Sequence, residues 1–306
     1  MRTLWLAAML LAGSVMPGVA AGYDDLNLGI AARNSGAWDS AIASFDKALA
    51  AGDLVPDQEY IAHLDRGEAY TAKDQHSEAI ADFLAAVGLR QDDQPAQILL
   101  ANEYFVSNNP DDALHALDSV IAHDSDGSAA HLLRAEVYEI LGDHQKQLDD
   151  LQLNLAKNPD VNADYIGLGI AEFQLGQPDL ASAAFAKANQ KSLYVWIWSA
   201  LSNLKGGKVV PSDTPPATLK GIWPATIVTF FQGHGSEGAV FFASEAQTNE
   251  TARRGQVCEA NFYLGEWRIF HGDRTGAKIL FQKAAEDCPR NFIEWPAALA
   301  ELKNAP

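Results

Sequence analysis

"LGIAARNSGAWDSAIASFDKAL", Leu28 to Leu49, recurs four more times without a gap. The further copies are "RGEAYTAKDQHSEAIADFLAAV" from Arg66, "LANEYFVSNNPDDALHALDSVI" from Leu100, "RAEVYEILGDHQKQLDDLQLNL" from Arg134 and "LGIAEFQLGQPDLASAAFAKAN" from Leu168. A small residue opens each unit: Gly29, Gly67, Ala101, Ala135 and Gly169. Twelve positions on stand Ala41, Ala79, Ala113, Gln147 and Ala181, and four beyond those the large apolar Phe45, Phe83, Leu117, Leu151 and Phe185. Three further on come Ala48, Ala86, Val120, Asn154 and Ala188. The period is 34 residues, with one longer step of 38 between the first two units. Turn signals such as "NSG", "SNNPDD", "LGD" and "LGQP" split each unit into two helices. Small side chains twelve apart let two antiparallel helices approach, the large residue plugs the gap between them, and the last small one lets the next unit stack. Each unit leaves an apolar face bare, so the units must stack to bury it. The fold class is all-α, a helix-turn-helix solenoid.

This pattern resembles the tetratricopeptide repeat and covers residues 22 to about 190. A sixth unit follows at 257–306, where Gly265, Ala277, Phe281 and Ala284 keep the spacing and "NFIEWPAALAELK" forms a capping helix with Pro296 in its first turn. Residues 191–256 break the period. Here "SLYVWIWSALSNL" predicts a buried helix, "KGGKVVPSDTPPATLKG" a loop, and "WPATIVTFFQG" and "SEGAVFFASEAQ" two more helices. The aromatics of this segment (Trp196, Trp198, Trp223, Phe230, Phe231, Phe241, Phe242) read as core, with room for an exposed patch among them.

Both cysteines, Cys258 and Cys288, fall in the sixth unit. In the register Cys258 begins the first helix and Cys288 follows the second, and antiparallel helices bring those ends together, as a disulfide requires. A redox pair would favour CxxC at a helix start. A zinc site needs two more ligands, and only His271 is close in sequence, at the opposite turn.

Residues 1–21 have the form of a signal peptide: Arg2, an apolar run from Leu4 to Leu11, then small residues that place cleavage near Ala20 or Ala21. "LAGS" at 11–14 has the shape of a lipoprotein box with Ser14 where the lipidated cysteine would stand, so no lipid anchor is expected. No stretch is long and apolar enough to span a bilayer. The expected location is the periplasm of a Gram-negative bacterium, where disulfides persist. A net charge of −18 repels phosphate backbones, so nucleic acid is not an expected partner.

No catalytic motif emerges. The eight histidines form no HExxH pair, "GHG" at 233–235 ends a helix rather than cradling phosphate, and neither a GxSxG elbow nor a kinase signature is present. His123 with Asp124 and Asp126 reads as a polar turn rather than a metal site, and no cofactor is expected. Binding is the better reading. The first helix of each repeat lines a groove, and the register points Asn27, Ile30, Arg33, Asp65, Glu68, Asn102, Phe105, Glu136, Glu139, Ile170 and Phe173 into it. With Arg33 nearly the only cation, the groove does not clamp a carboxylate; it suits a protein or peptide segment carrying Lys or Arg.

"WPATIVTFFQG" with "EANFYLGEWRIFHGDRTGAKILFQKAAEDCPRNFIE" is similar to the C-terminal part of the NlpI-like family of bacterial envelope proteins. The resemblance implies a periplasmic helical scaffold, often dimeric, that brings envelope proteases and cell-wall hydrolases together. Members are typically lipid-anchored, and this chain lacks the cysteine that anchor needs. The leading reading is a non-catalytic periplasmic adaptor. A self-associating structural module is the second, and a ligand-binding protein with a pocket in 191–256 the third.

Overall fold

A computed structural model describes residues 21–123, 128–159, 161–189, 191–210, 223–290 and 292–304. Residues 1–20 of the expected signal peptide, most of the Pro-rich loop, and Asp124 and Asp126 lie outside the described residues. Sixteen α-helices, and no strand, make up the described chain. They pair as α1 (Ala21–Asn34) with α2 (Trp38–Ala51), α3 (Pro56–Thr71) with α4 (His76–Leu89), α7 (Ser128–Leu141) with α8 (His144–Lys157), and α9 (Asn162–Gln174) with α10 (Pro178–Lys187). The third repeat supplies α5 (Gln94–Val106), which packs on α4, and α6 (Pro110–His123), which packs on α7. The irregular segment follows as α11 (Leu193–Lys205), α12 (Ala225–Phe231) and α13 (Glu237–Glu245). Then come α14 (Glu250–Phe270), α15 (Arg274–Asp287) and α16 (Glu294–Asn304).

The turn between the two helices of each of six repeat units needs one left-handed residue to end the first helix. It is glycine at Gly36, Gly142, Gly176 and Gly272, and Asp74 or Asn108 in the other two. Asp143 and Asp273 then cap the following helix through the backbone N–H of Lys146 and Gly276. Packing inside the pairs obeys a second rule. Where the small residue is glycine, the plug sixteen positions on is phenylalanine; at Ala135 it is leucine. A Cβ added at Gly29, Gly67, Gly169 or Gly265 would lie 2.5, 2.7, 2.6 or 2.6 Å from the ring of Phe45, Phe83, Phe185 or Phe281. The ring sits where a methyl would be, so ring and methyl exclude one another.

Two compact units result, one ending at Asn109 and one beginning at Pro110. The first has its core around Leu26, Ala41, Phe45 and Ala69, extended by Phe83 and Leu100. The second has one continuous core from Ile170 to Ala298, centred on Trp198. That indole lies 5.4 Å from Phe173, 5.6 Å from Phe262 and 6.0 Å from Tyr263. The aromatics of the irregular segment are mostly core, as expected. Phe242 is the exception at 79% exposed. Helix α16 packs on α15 and α14 and also touches α7, far earlier in the chain, so the second unit closes on itself.

Cys258 and Cys288 form the disulfide, with Cα atoms 4.8 Å apart. The expected position of Cys258 is corrected. Helix α14 is 21 residues long and begins at Glu250, where the side chain of Asn249 accepts from Ala252 N–H, so Cys258 lies in the middle of the helix. Cys288 caps α15 as expected. Closing a loop of 30 residues stabilises the fold by about 3–4 kcal/mol on chain-entropy grounds.

Candidate binding site

Repeats two and four carry the same charged network, 68 residues apart. In α3, Arg66 donates to both oxygens of Asp82 on α4 (2.8 and 2.7 Å) and to Asp46 on α2 (2.6 Å), while His63 shares Asp82 at 2.8 Å. In α7, Arg134 does the same to Asp150 (2.8 and 2.7 Å) and Asp118 (2.6 Å), with His131 at 2.6 Å. Burial opposes ionisation of Asp82, but the hydrogen bonds from Arg66 and His63 outweigh it and hold the pKa below the usual carboxylate range. Sequence reading missed both networks. Their signal is the repeated His-x-x-Arg followed by Asp sixteen residues after the arginine.

The predicted groove residues divide. In the first unit, Arg33 pairs with Asp65 (3.0 Å) and Glu68 (2.5 Å). Burial, opposed by Arg33, leaves the Asp65 carboxyl raised to about 6. Asn27 is exposed and donates to the Tyr23 carbonyl, and Asn102 and Phe105 are half-buried on α5. In the second unit one expectation is corrected. Phe173 is fully buried, because Trp198 of α11 makes an edge contact with it, and its side chain does not face a groove. Ile170 is 3% exposed and lines the cleft described next.

Glu136 and Glu139 do come together, in a cleft of about 230 Å³. Its walls are apolar: Leu132 of α7, Leu151 of α8, Ile166 and Ile170 of α9, and Ile293 just before α16. Its polar groups are Glu136, Glu139, Gln147 and Asp164, and among the described residues no Lys, Arg or His lines it. Glu136 stands exposed at the mouth. Glu139 accepts from Gln147 (3.1 Å) through one oxygen, while its Oε1 is buried without a hydrogen-bond partner. Burial, the charges of Glu136 and Glu294, and only the Gln147 hydrogen bond in opposition push the Glu139 carboxyl up to about 7. Asp164 is 4% exposed, accepts from Asn154, and is raised by burial. Gln147 stands where other repeats carry alanine, and Asn154 where they carry alanine or valine; they are the polar support of this cleft.

More carboxylates line the inner side of α14. Glu259 accepts from Tyr194 (3.1 Å) and Trp223 (2.5 Å), and Glu294 accepts from the Tyr263 hydroxyl at 2.6 Å. Burial raises both; the charge of Glu294 raises Glu259 further, while the Tyr263 hydrogen bond opposes the rise at Glu294. Glu266 is raised by burial and by Glu301, which Lys205 approaches at 3.3 Å.

Residues 26–94 and 98–162 match the tetratricopeptide repeat family. Those residues carry tetratricopeptide repeats. A crystallised tetratricopeptide repeat protein from Parabacteroides merdae superposes with a TM-score of 0.59, at 15% identity, over 92% of this chain and 98% of that one. A MamA protein gives 0.51 at 22% identity over 64% of this chain and 98% of its own length. At such identities the likeness concerns the fold.

The matched residues stop at 162, the first residue of α9, so the rest of α9 and Ile293 lie beyond them. The cleft thus joins a tetratricopeptide pair, α7–α8, to the more divergent second half. Among the described residues no group of three or more His, Cys, Asp or Glu is placed to hold a metal ion, and no helix is long and apolar enough to cross a membrane. The cleft supplies carboxylates on apolar walls, which is the chemistry of recognition of a cationic, long-stemmed group.

Proposed function

We propose that this protein is a non-catalytic adaptor that binds protein partners in the periplasm of a Gram-negative bacterium, with envelope proteases or cell-wall enzymes as the class of client. The observation that carries the reading is the stack of tetratricopeptide helix pairs whose first helices present acids (Asp65, Glu68, Glu136 and Glu139) rather than a carboxylate-binding set of cations. The leader at 1–21 and the Cys258–Cys288 disulfide support export, since such a bond persists in an oxidising compartment. The similarity of the C-terminal third to the NlpI-like envelope family supports the client class and a dimer.

The test is crosslinking of the tagged full-length chain in its native envelope, followed by mass spectrometry of the adducts and of the mature N-terminus. Reproducible adducts with envelope enzymes and cleavage near Ala20 or Ala21 are expected. Adducts solely with itself would establish the self-associating module instead, and an intact leader would remove the periplasmic assignment.

A further inference from the structure

The second unit contains a cleft whose two halves are chemically unlike. Leu132, Leu151, Ile166 and Ile293 give it apolar walls, while Glu136 at the mouth and Glu139 within give it acid. A buried carboxylate oxygen without a partner is costly to leave so, and Glu139 Oε1 is such an atom. Among the described residues no internal base relieves it. Glu139 faces Glu136 on its own helix, Gln147 from α8, Asp164 from α9 and Glu294 from α16, none of them cationic. Lys205 of α11 is engaged by Glu301 at 3.3 Å and by the Phe173 ring at 4.0 Å. The missing complement is a cation on an apolar stem that reaches past Glu136 to Glu139.

We propose that this cleft receives a single arginine or lysine side chain from an extended basic segment of the partner, its methylenes against the isoleucines and leucines and its cation between Glu136 and Glu139. Arginine suits the site better than lysine, because its planar fork can donate to both carboxylates at once. The inference rests on the adaptor reading for its biological sense and names the chemistry of the partner. It also assigns a purpose to Gln147, which holds one Glu139 oxygen (3.1 Å) and leaves the other for the guest.

The experiment uses the full-length protein with methyl-labelled isoleucine and leucine, titrated with acetyl-Ala-Arg-Ala-amide and with its citrulline counterpart, which has nearly the same shape and no charge. Saturable shifts are expected at Leu132, Ile166 and Ile293 with the arginine peptide, and affinity at least about tenfold weaker with citrulline. Glu139→Gln is expected to lose about tenfold. Glu136→Gln, at the exposed mouth, serves as the second variant should the first disturb the fold, which the methyl spectrum itself reports. Binding of the arginine peptide should weaken as pH falls from 8 to 6, because Glu139 takes up its proton there. Equal binding of the citrulline peptide, undiminished binding by both variants, shifts centred elsewhere or no shifts at all would overturn the proposal. Any of these leaves the adaptor reading to the envelope crosslinks; a chain that binds the arginine peptide yet captures no envelope protein keeps the cleft and loses the adaptor.

Discussion

Repeats two and four start from the same plan and part on one side. Helices α3 and α7 both carry His, Arg and Tyr at matching positions, both arginines chelate a buried Asp on the partner helix, and both rest near a tyrosine ring at about the same distance (6.0 and 5.9 Å). Across the pair the residues differ. Repeat two has Ala79, Phe83 and Ala86, a dry interface with the Phe83 ring against Gly67. Repeat four has Gln147, Leu151 and Asn154, a smaller plug and two amides, all buried. Leucine in place of phenylalanine leaves volume, and the amides supply hydrogen bonds to Glu139 and Asp164 that alanine cannot. The acids are treated differently as well. Asp65 and Glu68 share Arg33 as an ion-pair partner, whereas Glu136 and Glu139 have no such base among the residues lining their cleft. One scaffold thus holds a self-satisfied acidic face and an unsatisfied one.

The shared half of the comparison breaks with the largest effect. Arg66→Met and Arg134→Met each strand a buried aspartate (Asp82 at 3% and Asp150 at 2% exposed). Each is expected to cost about 3–5 kcal/mol, and urea unfolding followed by hydrogen exchange should find the two losses within about 1 kcal/mol of one another. A loss at one site alone would show that the networks are alike in geometry and unlike in energy.

The packing difference comes next. Gly67→Ala puts a methyl 2.7 Å from the Phe83 ring and should destabilise the first unit by about 1–3 kcal/mol. Combining it with Phe83→Leu recreates the Ala135–Leu151 pair of repeat four. The double variant should be more stable than the sum of the single losses by about 1 kcal/mol, read from a double-mutant cycle. Simple additivity would mean that the glycine–phenylalanine rule has another cause.

The smallest effect is the titration of Glu139. Its folded carboxyl sits at about 7, above the ordinary carboxylate value near 4.3, so the folded state binds the proton more tightly than the unfolded one. Stability is then full below the ordinary value and falls as pH rises towards 7. Glu139→Gln should therefore gain on the wild type by about 1–2 kcal/mol between pH 5 and pH 8, while Glu68→Gln, which loses a partner of Arg33, should not. Thermal melts at the two pH values measure both, and an identical pH response in the two variants would remove the distinction between the faces.

Most of the fold was legible because a repeat states its packing several times over. The small–small–large–small spacing located the helix pairs of five repeats and the sixth unit. Where the register misled, a non-repeating neighbour intervened: α11 brings Trp198 over Phe173, and no periodicity inside α9 announces a tryptophan from another element. Cys258 was misplaced for a similar reason, since α14 runs on for two turns where repeat helices begin. The cleft was half visible. Glu136 and Glu139 stood in the groove by register, but Gln147 and Asn154 looked like ordinary drift from alanine. A buried amide at a position reserved for a methyl needs a polar partner, and that reasoning would have pointed to Glu139 and Asp164.

If the cleft works as proposed, the acidic face of repeat four is open to a partner while that of repeat two is closed upon Arg33. A photoreactive amino acid placed at position 136 or at position 68 of the full-length chain, illuminated in the native envelope, tests it directly. Position 136 should give a strong partner adduct that Glu139→Gln weakens, and position 68 little. Equal adducts from both positions, or an adduct from position 68 alone, would contradict it.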